Sequence, residues 1–201
     1  TRKESSAASD VYKRQERTLL MVEIAIMAAL SFLIDLFIPS LSDAVKISVK
    51  MIPVMVLGLR RGLVPGLAGG LIWGVLQIVT GEASIVGLVQ AFLEYVLAFM
   101  AVGLTGLFSK PLLAAVSAKV SAVKQVTIAG LAVLLASFAR YFCHFIAGIV
   151  FWGQYAPEGM SPALNSLLVN GGAFLSETIT CLIVMGLLLP VYCLLYTSDA
   201  A

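Results

Sequence analysis

Long apolar runs, separated only by short polar connections, are the feature that most constrains how this chain folds. A helix that crosses the hydrocarbon core of a bilayer needs about 20 apolar residues, and such runs recur along most of the sequence. Hydrophobic residues make up 60% of the 201 and charged residues only 12%. A soluble domain of this size exposes too much surface to hide that share. The chain is therefore predicted to be an all-α integral membrane protein embedded in a lipid bilayer.

The apolar runs predict a bundle of six transmembrane helices, at residues 18–39, 49–59, 63–79, 85–108, 126–152 and 164–195. The second run is short and contains Pro53, which favours a short, broken or tilted helix, and Pro190 is expected to end or kink the last one. Together they form one membrane domain over residues 17–196. The polar ends, 1–16 and 197–201, resemble translated adapter sequence, and we expect both to be non-native or disordered tails.

Lys and Arg residues in the short connections predict the orientation of the bundle. One side of the membrane collects eight of them, which are Lys13, Arg14, Arg17, Arg60, Arg61, Lys110, Lys119 and Lys124. The opposite side has two, Lys46 and Lys50, together with the acidic residues Asp43, Glu82 and Glu158. The N-terminus, the 59–63 turn and a loop at 109–125 are therefore predicted to be cytoplasmic. An even number of spans returns the C-terminus to the same side.

Charge and motifs exclude several classes of function. A formal net charge of +2 leaves no basic surplus for binding a nucleic acid backbone. The GxxxxGK[ST], HExxH and GxSxG motifs are absent from the sequence. The three cysteines, at 143, 181 and 193, lie in apolar stretches, where small buried hydrophobic residues are the default interpretation. We therefore expect no enzyme, no cofactor and no metal site.

Ionisable side chains inside the spans mark the predicted functional centre, because a charge near a helix centre costs about 2.5–3.5 kcal/mol. Glu94, with Tyr95 beside it, suits a cationic ligand, and the alternative is a structural ion pair with Arg140. His144 lies four residues after Arg140, on the same helical face, and is either a ligand contact or a buried core histidine. For Glu177 a structural pairing is expected.

Aromatic and amide side chains near these positions have two interpretations each. Trp152 and Tyr155, at the outer end of the fifth span, form either an aromatic belt at the headgroups or a stacking wall for an aromatic ligand. Trp73, central in the third span, is either core packing or part of a pocket. Asn170 either hydrogen-bonds the edge of a ligand or caps a helix.

The first span has two further features. Glu23 and Asp35 lie near its ends, where snorkelling or capping explains them. Ala25 and Ala29 are small residues four apart, which lets another helix approach closely. If they face outward, this edge of the bundle is a docking surface for a partner.

Five segments occur in an order that resembles one family. They are VEIAIMAAL, MIPVMVLGLRRGLVPGLAGGLIWGVLQ, QAFLEYVLAF, RYFCHFIAGIVFWGQYAP and SLLVN. Over about residues 18–189 the chain is similar to the thiamine-specific substrate-binding (S) components, the ThiT family, of energy-coupling factor (ECF) transporters. The resemblance implies a non-enzymatic six-helix protein of a prokaryotic cell membrane that captures extracellular thiamine. Uptake would need a transmembrane T protein and two ATP-binding subunits.

The resemblance also implies roles for individual residues. The ligand pocket corresponds to Glu94, Tyr95, His144, Trp152, Asn170 and Trp73. Ala25 and Ala29 correspond to the small-residue motif that docks on the T protein. The sequence departs from the family at Asn165, where an aromatic is common, and in the outer loop at 39–50, which has no Trp.

Other functions stay open at this point. The chain is also compatible with an S component for another vitamin or for a thiamine precursor. A membrane enzyme that uses Glu94 and His144 as acid and base is a second alternative, and a purely structural subunit is a third.

Overall fold

A computed structural model describes residues 2–37 and 48–198, with side chains described within 12–37 and 48–191. These residues form helices and no strand. The helices are α1 (Arg2–Phe37), α2 (Ile52–Arg61), α3 (Leu63–Val79), α4 (Leu88–Ser117), α5 (Ala122–Val150) and α6 (Pro162–Ser198). Helix α4 contains a π-helical turn at Phe92–Leu97 and a 3-10 stretch at Gly103–Phe108. A 3-10 turn at Gly153–Tyr155 follows α5.

Four of these helices are long and apolar enough to cross a bilayer. The spans are Tyr12–Phe37, Leu88–Ser117, Ala122–Val150 and Pro162–Val191. Helix α3 is apolar but has 17 residues, or about 26 Å at the helical rise, against a hydrocarbon core of about 30 Å. The all-helical fold of a membrane protein is confirmed. The crossing of all six helices and the cytoplasmic position of both termini stay predictions, as does the status of the two tails.

The predicted loop at 109–125 is wrong, because α4 continues to Ser117 and α5 begins at Ala122. The connection is reduced to residues 118–121. The final turns of α4 bury one face of the helix, with Leu112, Ala115 and Val116 packed inside. This burial stabilises helix in a stretch whose polar ends suggest a loop.

The two prolines have different effects on their helices. Helix α2, which contains Pro53, is short, one of the alternatives expected. Pro53 lies in its first turn, where the missing N–H costs nothing, so it does not break the helix. Pro190 does not end α6, which continues to Ser198. One lost N–H donor is tolerated in a long membrane helix, because neighbouring groups satisfy the freed carbonyl.

Helices α3 and α4 pack backbone against backbone through glycines. A Cβ atom added at Gly70 would collide with the Phe99 carbonyl, and one added at Gly74 would collide with the Tyr95 carbonyl. The two glycines are four residues apart and so share a helix face. This close contact fixes the π-helical turn of α4 directly against α3.

Glu23 ties α1 to α2. Its carboxylate pairs with Arg61 at 2.6 Å and with Arg60 at 3.6 Å. Snorkelling or capping was the explanation expected from the sequence for this acid, and the structure replaces it with an ion pair between two helices.

Candidate ligand-binding site

Glu94 lies in the π-helical turn of α4. In this turn the Ala98 N–H bonds to the Leu93 carbonyl, five residues back and not four. The wider turn holds one additional residue, and such turns are frequent at functional sites. Glu94 and Tyr95 therefore project from an irregular part of a membrane helix.

Two donors and a histidine ring nitrogen, none with a fixed charge, surround the Glu94 carboxylate. The Trp152 indole N–H donates to Oε2 at 3.0 Å, and the Gln90 amide donates to the same oxygen. The His144 Nδ1 atom lies 3.5 Å from Oε1. The alternative ion pair with Arg140 does not form, although the structure describes both side chains. The negative charge of this buried carboxylate is therefore held by dipoles alone when His144 is neutral.

A cavity of about 270 Å³ opens next to His144, whose ring contacts the Glu94 carboxylate. Its lining comprises Asp35, Leu36, Gln77, Glu82, Tyr95, Phe99, Arg140 and His144. His144 belongs to both the cavity lining and the carboxylate contacts. The volume is near the lower end of the roughly 300–1,000 Å³ usual for small-molecule pockets, which suits a small ligand.

Arg140 is a cavity residue that the sequence presented only as an alternative partner of Glu94. Its guanidinium lies over the rings of Phe99 and Trp73, at 4.3 and 5.0 Å from the centroids. The side chain is buried, and its Nε and Nη1 atoms have no hydrogen-bond partner among the described residues. Unpaired buried donors are costly, so this guanidinium is available to an acceptor in the cavity.

A polar network joins four helices behind the cavity. Lys50 Nζ lies 2.8 Å from Asp35 Oδ1 and 3.4 Å from Glu177 Oε1. Gln77 donates to Asp35 Oδ2 at 2.7 Å, and the Tyr141 hydroxyl donates to Glu177. The expected structural pairing of Glu177 is thus present.

One expectation for a charged residue is wrong, and another residue is more buried than a loop charge usually is. Lys50 lies in the connection between α1 and α2, as expected, but it is only 7% exposed. Asp35 forms an ion pair and does not snorkel, because a buried lysine nearby compensates its charge better than a distant headgroup region. Asp43 and Lys46, and most of the 39–50 loop, lie outside the described residues.

The structure brings three predicted site residues into contact, because Glu94 lies within hydrogen-bond distance of His144 and Trp152. Tyr95 and His144 line the cavity, whereas Glu94 and Trp152 are not part of its lining. Trp73 is fully buried, edge-on to the Phe99 ring at 4.6 Å, and lies beneath Arg140 as core packing.

Asn170 lies at a different place, in an apolar cavity of about 300 Å³ between α5 and α6. Its amide donates to Ser166 Oγ at 3.1 Å. Its neighbours in this cavity are mainly Phe side chains from both helices. Asn170 makes no hydrogen bond to Glu94 in this structure, and its contact with a ligand stays a prediction.

The two alanines of α1 lie on its outward face. Ala25 is exposed and Ala29 is half-buried, whereas Ala28 between them is fully buried in the core. Large apolar neighbours on this face, Val22 and Ile26, are 50% and 52% exposed. The centre of this face therefore carries small side chains, and its edges carry large apolar ones.

Several contributors to this site were missed from the sequence, namely Gln77, Gln90 and Tyr141. The signal that marks them is a polar side chain inside an apolar span, which the sequence does contain.

Among the described residues there is no group of His, Cys, Asp or Glu able to hold a metal ion. A buried acidic and aromatic site inside a bundle of membrane helices is typical of proteins that bind and carry small solutes.

Comparison with known proteins identifies the family. A family model described as thiamine transporter protein (Thia_YuaJ) matches residues 21–196. The thiamine transporter ThiT of Lacticaseibacillus paracasei is 38% identical over 184 residues, which cover 89% of this chain and 90% of that protein. The thiamine transporter ThiT of Bacillus subtilis is 32% identical over 191 residues, covering 94% and 99%. This chain belongs to the thiamine transporter family, whose members are transporters and not enzymes.

A solved structure supports the fold as well. ThiT from Listeria monocytogenes superimposes with a TM-score of 0.83 and 33% sequence identity. The match covers 90% of this chain and 98% of that one.

Proposed function

We propose that this chain is the thiamine-binding membrane subunit of an ECF-type importer in a prokaryotic plasma membrane. The observation that carries the proposal is the charge around the cavity. Away from solvent, three acids face two bases, namely Asp35, Glu94 and Glu177 against Lys50 and Arg140. With His144 neutral, the group therefore has one negative charge in excess, in a medium where isolated charges are costly. A ligand with one permanent positive charge neutralises it.

Thiamine has the chemistry that this arrangement requires. Its thiazolium ring is a permanent cation, and its aminopyrimidine ring has donor and acceptor atoms along one edge. The Glu94 carboxylate would offset the positive charge, and Tyr95, which lines the cavity, and Trp152, whose indole N–H donates to Glu94, would stack on the rings. The unpaired donors of Arg140, with His144 beside them in the cavity lining, would serve the polar edge and the hydroxyl group.

Equilibrium binding to purified protein in detergent tests this proposal. Titration calorimetry should give a Kd for thiamine well below the micromolar range. The separate aminopyrimidine fragment, which has no thiazolium, should bind at least about 100-fold more weakly, because it cannot neutralise Glu94. A fragment that binds as tightly as thiamine would favour an S component for the precursor, for which the Asn165 departure leaves room. Absence of any thiamine binding would refute the proposal.

The partner proteins are proposed from the α1 face. A transmembrane T protein would dock at Ala25 and Ala29, where small residues permit close helix approach, and two ATP-binding subunits would supply energy to that complex. The double variant Ala25→Trp, Ala29→Trp should keep thiamine binding within about twofold and abolish uptake in cells. Substituting Leu187, 73% exposed on α6, by Trp is the matched control and should leave uptake intact. Normal uptake by the double variant would contradict docking at this face.

A further inference from the structure

The Gln90 side chain makes three hydrogen bonds near the site, although the binding chemistry proposed above does not involve it. It is fully buried. Its Oε1 atom accepts the Val86 N–H at 3.1 Å, and its Nε2 atom donates to the Ser84 carbonyl at 3.0 Å and to Glu94. Both amide hydrogens and the amide oxygen are therefore engaged.

The α3–α4 loop, residues 80–87, depends on these bonds. All of its residues are exposed except Ala83, which is half-buried. Its two large apolar residues, Ile85 and Val86, are 49% and 46% exposed, so neither anchors it in the core. Its side-chain hydrogen bonds to α4 come from Gln90 and from the Tyr95 hydroxyl, which accepts the Ser84 N–H at 2.8 Å.

The geometry of the amide connects this loop with the carboxylate. The two hydrogens of Nε2 have different acceptors, one in the loop and one on Glu94. The Val86 N–H fixes which end of the amide is oxygen, and so directs the nitrogen toward Glu94. A movement of the loop that turned the amide would remove one donor from the carboxylate.

We infer that Gln90 is a positioning residue that couples the α3–α4 loop to Glu94 and thereby sets how strongly the site prefers a cation over a neutral ring. The inference rests on the proposed function and adds a residue to it. The donors from Gln90 and Trp152 hold the Glu94 carboxylate in one orientation without neutralising it. If one of them is lost, the carboxylate rotates and its charge acts less well on the ligand.

The test compares Gln90→Met, which keeps the length of the side chain and removes its hydrogen bonds, with Gln125→Met. Gln125 is half-buried and donates to the Val120 carbonyl at 2.8 Å, in the α4–α5 connection. Binding is measured for thiamine and for its uncharged analogue, in which a thiophene ring replaces the thiazolium. Gln90→Met should weaken thiamine binding about 10–100-fold. It should weaken binding of the neutral analogue much less. The ratio of the analogue Kd to the thiamine Kd should therefore fall at least about fivefold.

The ratio separates positioning from a merely structural role. If Gln90 only supported the fold, both ligands would lose affinity equally and the ratio would stay at its wild-type value, which would overturn the inference. Gln125→Met should change neither Kd by more than about twofold. A change as large as that of Gln90→Met would also overturn it.

Hydrogen exchange on the ligand-free protein tests the loop separately from thiamine. Gln90→Met should accelerate exchange of the Ser84 and Val86 amides at least about tenfold, with the remainder of α4 unchanged. Unchanged exchange at both amides would refute the coupling. If wild-type protein bound no thiamine while exchange responded as expected, the proposed function would fail and the connection between Gln90 and the loop would stand.

Discussion

The substitution Glu94→Gln changes the charge of the site by one unit with almost no change of shape. The new carboxamide keeps one acceptor oxygen for the Trp152 indole N–H and the Gln90 amide. Its NH2 group would face His144, whose ring nitrogen serves as an acceptor in one tautomer. The fold should therefore survive, and the effect should be electrostatic.

The magnitude follows from the surroundings of the carboxylate. A ligand cation in contact with it lies about 4–5 Å from the charge, where two unit charges attract by about 3–4 kcal/mol at an effective dielectric constant of about 20. That energy corresponds to a factor of about 10²–10³ in Kd. With Glu94→Gln the buried group around the cavity becomes neutral, and a bound cation then adds an uncompensated charge.

Calorimetric titration of Glu94→Gln with thiamine should thus give a Kd about 100–1,000-fold above that of wild type. The uncharged thiophene analogue should lose less than about tenfold, because its binding does not depend on the charge. Glu158→Gln removes the same charge from an exposed position in the α5–α6 connection and should stay within about twofold. A thiamine Kd within about threefold of wild type in Glu94→Gln would refute the charge argument.

Three further substitutions test other parts of the molecule. Trp152→Phe keeps an aromatic ring and removes the N–H donated to Glu94, so thiamine binding should weaken about tenfold by calorimetry; an unchanged Kd would contradict this. Lys50→Met leaves buried Glu177 and half-buried Asp35 without their shared cation and should cost about 3–5 kcal/mol, measured as thermal unfolding in detergent. Gly70→Ala should cost about 1–3 kcal/mol in the same assay, because its Cβ collides with the α4 backbone, whereas a Cβ at Gly186 meets no atom within 4 Å and Gly186→Ala should be neutral. Equal melting temperatures for the two glycine variants would rule out the close packing of α3 on α4.

The helical membrane fold and the centre of the site were predictable because both follow from local properties of the sequence. The length of an apolar run decides whether a helix can cross a bilayer. An ionisable side chain inside such a run must face the protein interior, so Glu94 and His144 were expected to face it without any knowledge of their contacts. Their meeting with Trp152 depends on the fold, and there the family resemblance supplied the expectation.

The remaining features depend on pairings that the linear sequence does not contain. Lys50 counts as a loop charge until Asp35 and Glu177 are seen on either side of it. Asn170 was expected either to contact a ligand or to cap a helix, and only the packing of α5 on α6 shows that its amide donates to Ser166. A residue's partner across the bundle decides its role, and periodicity along one helix cannot reveal that partner.

The π-helical turn at Phe92–Leu97 has a consequence for how this site can change during evolution. It contains one residue more than an α-helical turn over the same rise. Deleting one residue there would restore regular geometry and rotate the preceding part of α4, including Gln90, by about 100° about the helix axis. The gain or loss of a single codon can therefore reorient every side chain in the first part of α4 at once. Relatives with altered ligand preference should differ here by an insertion or deletion as well as by substitutions.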